Sequence, residues 1–122
     1  MTISVIGLNH KSASLDIREK YSFTGDACSL LLRRIKKIPE INEVLVISTC
    51  NRTEIYTDSE SGSDNIQNWL AGEKEYRPFI SHMYIHREED AIRHLFKVVS
   101  GLDSMVVGES EVLGQVKTSY KI

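Results

Sequence analysis

The sequence is short of the residues that most directly announce a chemistry. It holds two cysteines, Cys28 and Cys50, in no CxxC pair and at no spacing that suits a metal site. With so few thiols and nothing else that suggests an oxidising compartment, both read as free cysteines in a reducing cytoplasm. There is no GxGxxG, no GxxxxGK and no GxSxG, so no local signature cradles a nucleotide or carries a nucleophilic serine. No apolar run approaches the roughly 20 residues of a membrane helix. The first residues, "MTISVIGLNHK", lack a basic leader followed by a long apolar stretch, so no secretory signal is expected. Excess charge is missing too: the net charge of −2 excludes a global electrostatic grip on nucleic acid, though not a local basic patch.

What is present is an ordinary soluble composition in 122 residues, 41% hydrophobic and 26% charged, enough for one domain with a core. Residues 2–9, "TISVIGLN", read as a strand, and "HKSASLDIREKYSF" as a polar loop with one helical turn. Residues 26–38 read as a helix with Ala27, Leu30, Leu31, Ile35 and Ile38 inward and Arg33, Arg34, Lys36 and Lys37 outward, stopped by Pro39. The continuous run "EVLVIS" at 43–48 predicts an interior strand covered on both faces. "TCNR" is a turn into a strand at 53–58, and the pair makes a hairpin. Ile66, Trp69 and Leu70 mark a short helix, residues 79–86 a fourth strand, and 88–100 an amphipathic helix with a core face of Ile92, Leu95, Phe96 and Val99. A last helical pattern follows at Val112, Leu113, Val116 and Tyr120. The order predicts an α+β domain of the ferredoxin-like, split βαβ kind: a four-stranded, mostly antiparallel sheet with helices on one face and an extra C-terminal helix.

One stretch stands out, "VISTCNRTEIY" at 46–56, where an apolar strand delivers Cys50 among Ser48, Thr49, Asn51 and Arg52. A free cysteine is commonly a small buried hydrophobe, and Cys28 in the first helix fits that description. Cys50 has polar company, and a cation two residues away favours the thiolate, the nucleophilic form. Arg52 can supply that charge, bind a substrate carboxylate with its fork of donors, or simply form a surface salt bridge with Glu54. His94 falls away from the core face of its helix. It is either a solvated histidine or a general acid–base at the border of a cleft. His82 and His86 on one strand lie about 13 Å apart, too far to share a metal.

These residues also carry a family resemblance. "STCNRTEIY", "GLNHKSASLDIREKYSF" and "AIRHLFKVVSGLDSMVVGESEVLGQVK" resemble the signature blocks of the glutamyl-tRNA reductase family. The resemblance spans Gly7 to Lys117 and implies a ferredoxin-like N-terminal catalytic domain over residues 1–122. It implies that Cys50 attacks the aminoacyl ester to form a glutamyl thioester, that NADPH then releases glutamate-1-semialdehyde as the first step of tetrapyrrole synthesis, and that His94 assists proton transfer. By the same resemblance Thr49, Asn51, Arg52, Ser104, Glu109, Ser110, Glu111 and Gln115 surround the substrate, with Arg52 on its carboxylate. Many members carry a glutamine where Glu111 stands, and a carboxylate there would repel an acidic substrate. Members of the family continue into a nicotinamide-binding and a dimerisation domain, both absent from this chain. The expected partners are therefore glutamyl-tRNA, a second copy in the full-length homodimer, and the aminomutase of the next step. The expected behaviour of this chain alone is acylation and slow hydrolysis without reduction. Against this stand a non-catalytic RNA-binding module, stacking bases on Tyr56 and Tyr84 of an exposed sheet face, and a thiol redox sensor at Cys50.

Overall fold

The computed structural model describes residues 2–60 and 64–101. In chain order these form β1 (Thr2–Asn9), α1 (Leu15–Lys20), α2 (Asp26–Lys36), β2 (Ile41–Ser48), β3 (Arg52–Ser59), α3 (Asp64–Ala71), a 3₁₀ turn (Lys74–Tyr76), α4 (Arg77–His82), β4 (Tyr84–Arg87) and α5 (Glu89–Val99). The strands make a four-stranded sheet in the order β2-β3-β1-β4, antiparallel throughout. That order, with helical crossovers between β1 and β2 and between β3 and β4, is the split βαβ arrangement.

Because strand side chains alternate, neighbouring residues feed two separate cores. Ile6, Leu8, Val46 and Ile55 meet Leu31, Leu32 and Ile35 of α2 and Ile66, Leu70 and Phe79 of the β3–β4 crossover. On the opposite face, Val5, Ile47 and Tyr56 meet Ala91 and Val98 of α5. The crossover helices thus share one face as expected, while α5 covers the other. The "EVLVIS" run is explained by this double covering, since Val46 and Ile47 enter different cores. The strand is nonetheless an edge strand, not an interior one.

Three other sequence expectations change. The stretch 79–86 is not one strand: Arg77–His82 is helical, with Pro78 in its first turn, and only Tyr84–Arg87 pairs with β1. Proline costs nothing there, because the first turn of a helix has no use for its missing N–H. In α2 the inward stripe is Cys28, Leu31, Leu32 and Ile35, which leaves Leu30 half exposed. In α5 the inward stripe is Ala91, His94, Leu95 and Val98, while Ile92 and Phe96, expected in the core, are exposed, Phe96 at 70%. An amphipathic wheel fixes the period but not the phase once the apolar arc is wide. The helical pattern at Val112, Leu113, Val116 and Tyr120 lies outside the described residues.

No described helix is long and apolar enough to cross a membrane.

Candidate functional site

The turn between β2 and β3 is built from its own polar side chains. The Thr49 N–H donates to the Arg52 carbonyl at 2.8 Å, and the Asn51 N–H donates to Thr49 Oγ1 at 3.1 Å. Thr49 and Asn51 are consequently buried, and the side chain between them is pushed outward: Cys50 is exposed. Among the described residues its thiol makes only a weak donor contact, 3.9 Å to Asn51 Oδ1. Cys28 is the opposite case, half buried against the α2 core with its thiol pKa pushed up by burial. Of the two sulfurs, one is presented to solvent and one is packing.

Below the turn a ladder of hydroxyls ties the chain after α1 to the hairpin. Thr53 donates to the Tyr21 carbonyl at 2.7 Å, which spends its proton. Ser48, 3.2 Å from Thr53 Oγ1, is therefore the donor in that pair, and it accepts from the Phe23 N–H at 2.8 Å. The ladder sets α1 and residues 22–24 beside Cys50 across a hollow of about 160 Å³. The hollow is lined by Arg18, Glu19, Ser22, Thr24, Ser48, Thr49 and Cys50. Neither Arg52 nor His94 is among those lining residues.

Arg52 and His94 meet instead on the α5 face, around a carboxylate. Arg52, Glu54 and Tyr56 alternate along β3, and Arg52 and Glu54 are both fully buried. Glu54 sits with Oε2 at 3.7 Å from Arg52 Nη1. The same carboxylate accepts from the Tyr56 hydroxyl at 2.9 Å, from the Tyr84 hydroxyl and from His94 Nε2. A carboxylate only accepts, so His94 carries a hydrogen on Nε2, and Nδ1 is the nitrogen left to exchange a proton. Burial, then the neighbouring Glu54 charge, drives the Tyr84 hydroxyl pKa well above the usual phenol range, so it stays a donor. His94 also lies against His86, with ring centroids 4.6 Å apart, and against Tyr84 at 5.4 Å.

This cluster exists because β1 carries a glycine at one point. Gly7 is directly opposite Glu54 on one side and Tyr84 on the other. A Cβ there would lie 2.8 Å from Glu54 Cγ, 2.9 Å from the Thr53 carbonyl and 2.9 Å from the Tyr84 hydroxyl. The two side chains meet across the space above a residue that has none.

Of the residues singled out in the sequence, Thr49, Cys50 and Asn51 share the exposed turn, and Arg52 and His94 share Glu54. Ser104, Glu109, Ser110, Glu111 and Gln115 lie outside the described residues. The salt bridge of Arg52 with Glu54 is present but fully buried, not superficial. His94, read as pointing away from its core face, points inward to the sheet. Sequence reasoning missed Glu54, Tyr84 and Gly7 as one unit. The available signal was the alternation Arg52, Glu54, Tyr56, which puts two charges and a phenol on one face of a strand. Tyr56 and Tyr84 are turned under α5 and committed to Glu54, so they offer no stacking platform to RNA. The basic face of α2 is partly neutralised as well: Arg34 pairs with Glu73 at 3.4 Å and Glu75 at 3.5 Å and covers the Trp69 ring.

A dinucleotide does not fit these residues. The hollow beside Cys50 is smaller than the roughly 300–1,000 Å³ of a cofactor pocket, and the sheet is antiparallel, with no glycine-rich strand-to-helix turn among the described residues to receive a pyrophosphate.

Comparison with known proteins places the chain. The family model described as "Glutamyl-tRNAGlu reductase, N-terminal domain" matches residues 6–122. A glutamyl-tRNA reductase of Xylella fastidiosa is 46% identical over all of this chain, and one of Xanthomonas axonopodis is 44% identical over the same span. In both cases the chain spans 28% of the relative's length. Among solved structures, the glutamyl-tRNA reductase from Methanopyrus kandleri matches 98% of this chain with a TM-score of 0.74 and 31% identity, over 27% of its own length.

Proposed function

The chain belongs to the glutamyl-tRNA reductase N-terminal domain family, and from that premise we propose that it carries the acyl-transfer half of an NADPH-dependent reduction of glutamyl-tRNA to glutamate-1-semialdehyde, the entry to tetrapyrrole synthesis. Cys50 Sγ attacks the carbonyl carbon of the glutamyl ester. The sulfur–carbon bond forms, the ester carbon–oxygen bond breaks, and the ribose oxygen of the tRNA leaves with a proton. A thioester is a better hydride acceptor than an oxygen ester, because sulfur donates less electron density to the carbonyl, which is why a reductase uses a thiol. NADPH supplies that hydride, and its place is outside the described residues.

One observation carries this reading: the family's cysteine is the exposed thiol, held out by a turn whose other side chains are occupied, at the lip of a hollow. In the arrangement described, Arg52 is fully enclosed, so its contact with the glutamyl carboxylate requires Glu54 to yield part of its hold. We assign His94 to the proton that reaches the leaving hydroxyl, through Nδ1. Thr49 and Asn51 shape the turn, and Ser104, Glu109, Ser110, Glu111 and Gln115 complete the substrate's surroundings. The full-length protein works as a cytoplasmic homodimer that hands its reactive aldehyde to the aminomutase.

The test is acylation without reduction. The chain is incubated with radiolabelled glutamyl-tRNA and no NADPH, and protein-bound label is released with hydroxylamine. Hydroxylamine-labile label that vanishes in Cys50→Ala is the expected result. Label that persists in that variant, or tRNA binding with no label in the wild type, overturns it.

A further inference from the structure

The outward face of α2 carries charge that neither the core nor the acyl transfer uses. Its last turn and C-cap hold Arg33, Arg34, Lys36 and Lys37, against Asp26 in its first turn. Arg34 is taken by Glu73, Glu75 and the Trp69 ring. Arg33, Lys36 and Lys37 are exposed, and among the described residues none of them has an ion-pair partner. One cation is enough to answer the negative end of a helix dipole, so the helix itself does not need this excess. The outward face of α5 is the opposite case, since Arg93 is answered by Glu89 and Asp90. The cations also stand on the same side of the sheet as the hollow beside Cys50. Ile17 of α1 shares one core with Leu31, Leu32 and Ile35 of α2, and residues 22–24, at the hollow, lead into α2. β2 packs against α2 and joins the two places: Ser48 lines the hollow, and Ile41 follows the basic turn. The eight residues of β2 put about 23 Å between them.

We propose that Arg33, Lys36 and Lys37 of α2 form a docking surface for the phosphate backbone of an RNA duplex, the stem whose 3′ strand ends in the esterified ribose. The proposal rests on the acyl-transfer reading of Cys50 for its occupant. An ester delivered to Cys50 on a tRNA trails a few unpaired nucleotides before the first base pair. That unpaired stretch spans the length of β2, so the duplex begins where the cations stand. Flexible cations on a convex helix suit A-form RNA, whose major groove is too deep and narrow for side chains to read and whose backbone is open to contact. Such contacts carry no sequence information; they fix register and orientation and gain affinity by releasing counterions. With a net charge of −2 the chain has no general attraction for RNA, so a local patch on this side also sets which way the stem approaches.

The experiment compares two esters on the 122-residue chain, glutamyl-adenosine and a glutamylated minihelix (an acceptor stem with its unpaired 3′ end), by the rate at which each acylates Cys50. The minihelix rate is expected to fall about thirtyfold between 50 and 200 mM salt, as three phosphate contacts require. In the triple variant Arg33→Gln, Lys36→Gln, Lys37→Gln the ratio of minihelix to adenosine rates drops about tenfold at low salt, and the salt slope shrinks by about one per residue. The charge-preserving set Arg33→Lys, Lys36→Arg, Lys37→Arg keeps the ratio, and so does the control pair Arg93→Gln, Lys97→Gln on α5. A second arm reads binding alone, by the salt dependence of uncharged minihelix binding to the same proteins. An unchanged ratio and slope in the triple variant overturns the surface, as does an equal loss with both esters, which marks a merely structural effect. An equal drop in the α5 control overturns it too, since any lost cation would then serve. If neither ester acylates Cys50 while the triple variant still flattens minihelix binding, the acyl-transfer reading fails and the surface stands.

Discussion

Replacing Gly7 with alanine tests the geometry of the buried cluster most directly. The new methyl group would meet Glu54 Cγ at 2.8 Å, the Thr53 carbonyl at 2.9 Å and the Tyr84 hydroxyl at 2.9 Å. None of the three yields easily. Thr53 O is backbone at the start of a strand that is paired on both sides there. Glu54 is held by Tyr56, Tyr84, His94 and Arg52, and Tyr84 by Glu54. Overpacking of a tight interior costs about 1–3 kcal/mol, and weakening a charge-assisted hydrogen bond costs about 1.5–3 kcal/mol more. The lower backbone entropy of an unfolded alanine returns about 0.5–1 kcal/mol. The net expectation is a loss of about 3 kcal/mol, or roughly 10–20 °C in Tm for a domain of this size. Urea and thermal unfolding followed by circular dichroism measure it. Two other glycines calibrate the result. Gly72→Ala meets nothing closer than 3.5 Å and has an unexceptional φ, so it should be neutral or slightly stabilising. Gly25→Ala has open space around it but a φ of +56°, so its cost is backbone strain of about 1–2 kcal/mol. A Gly7→Ala protein within about 0.5 kcal/mol of the wild type, the scatter of ordinary surface changes, would refute the close crossing of Glu54 and Tyr84 over β1.

Further outcomes follow from the same interior. Glu54→Gln keeps the shape but removes the negative charge 3.7 Å from buried Arg52, so it should destabilise by about 3 kcal/mol in urea unfolding; an unchanged midpoint would show that the pair contributes nothing. The chain should lose stability as pH rises above about 10, because Tyr84 keeps its proton when folded and surrenders it in the unfolded chain, where its pKa is lower. Tyr84→Phe should flatten that decline without abolishing it, since Tyr21 and Tyr76 are also raised by burial; a slope identical to the wild type's counts against the buried phenol. Iodoacetamide at mildly alkaline pH should modify Cys50 while Cys28 reacts only after unfolding, and comparable rates for the two in mass spectrometry would contradict their different exposure.

The division between the readable and the unreadable is clear at particular residues. β1, the β2–β3 hairpin and its "TCNR" turn were legible because strand alternation and turn chemistry are local, as was the greater exposure of Cys50 than of Cys28, from its polar neighbours. The phase of α5 was not, because Ile92 and Phe96 are as apolar as the residues that face inward. Only the sheet beneath decides which arc is buried, and it decided for His94, drawn in by a carboxylate on another strand.

By itself, then, the sequence determined the split βαβ order of elements, the exposed thiol and the family. Those follow from period, turn residues and motif, each of which spans a few consecutive positions. The tertiary structure alone decided that Gly7, Glu54, Tyr84 and His94, from β1, β3, β4 and α5, form one unit, and that Arg18 stands beside Cys50. Residues 40 or 30 positions apart are brought together by strand register and by the side of the sheet each helix covers, and neither is written in any single segment.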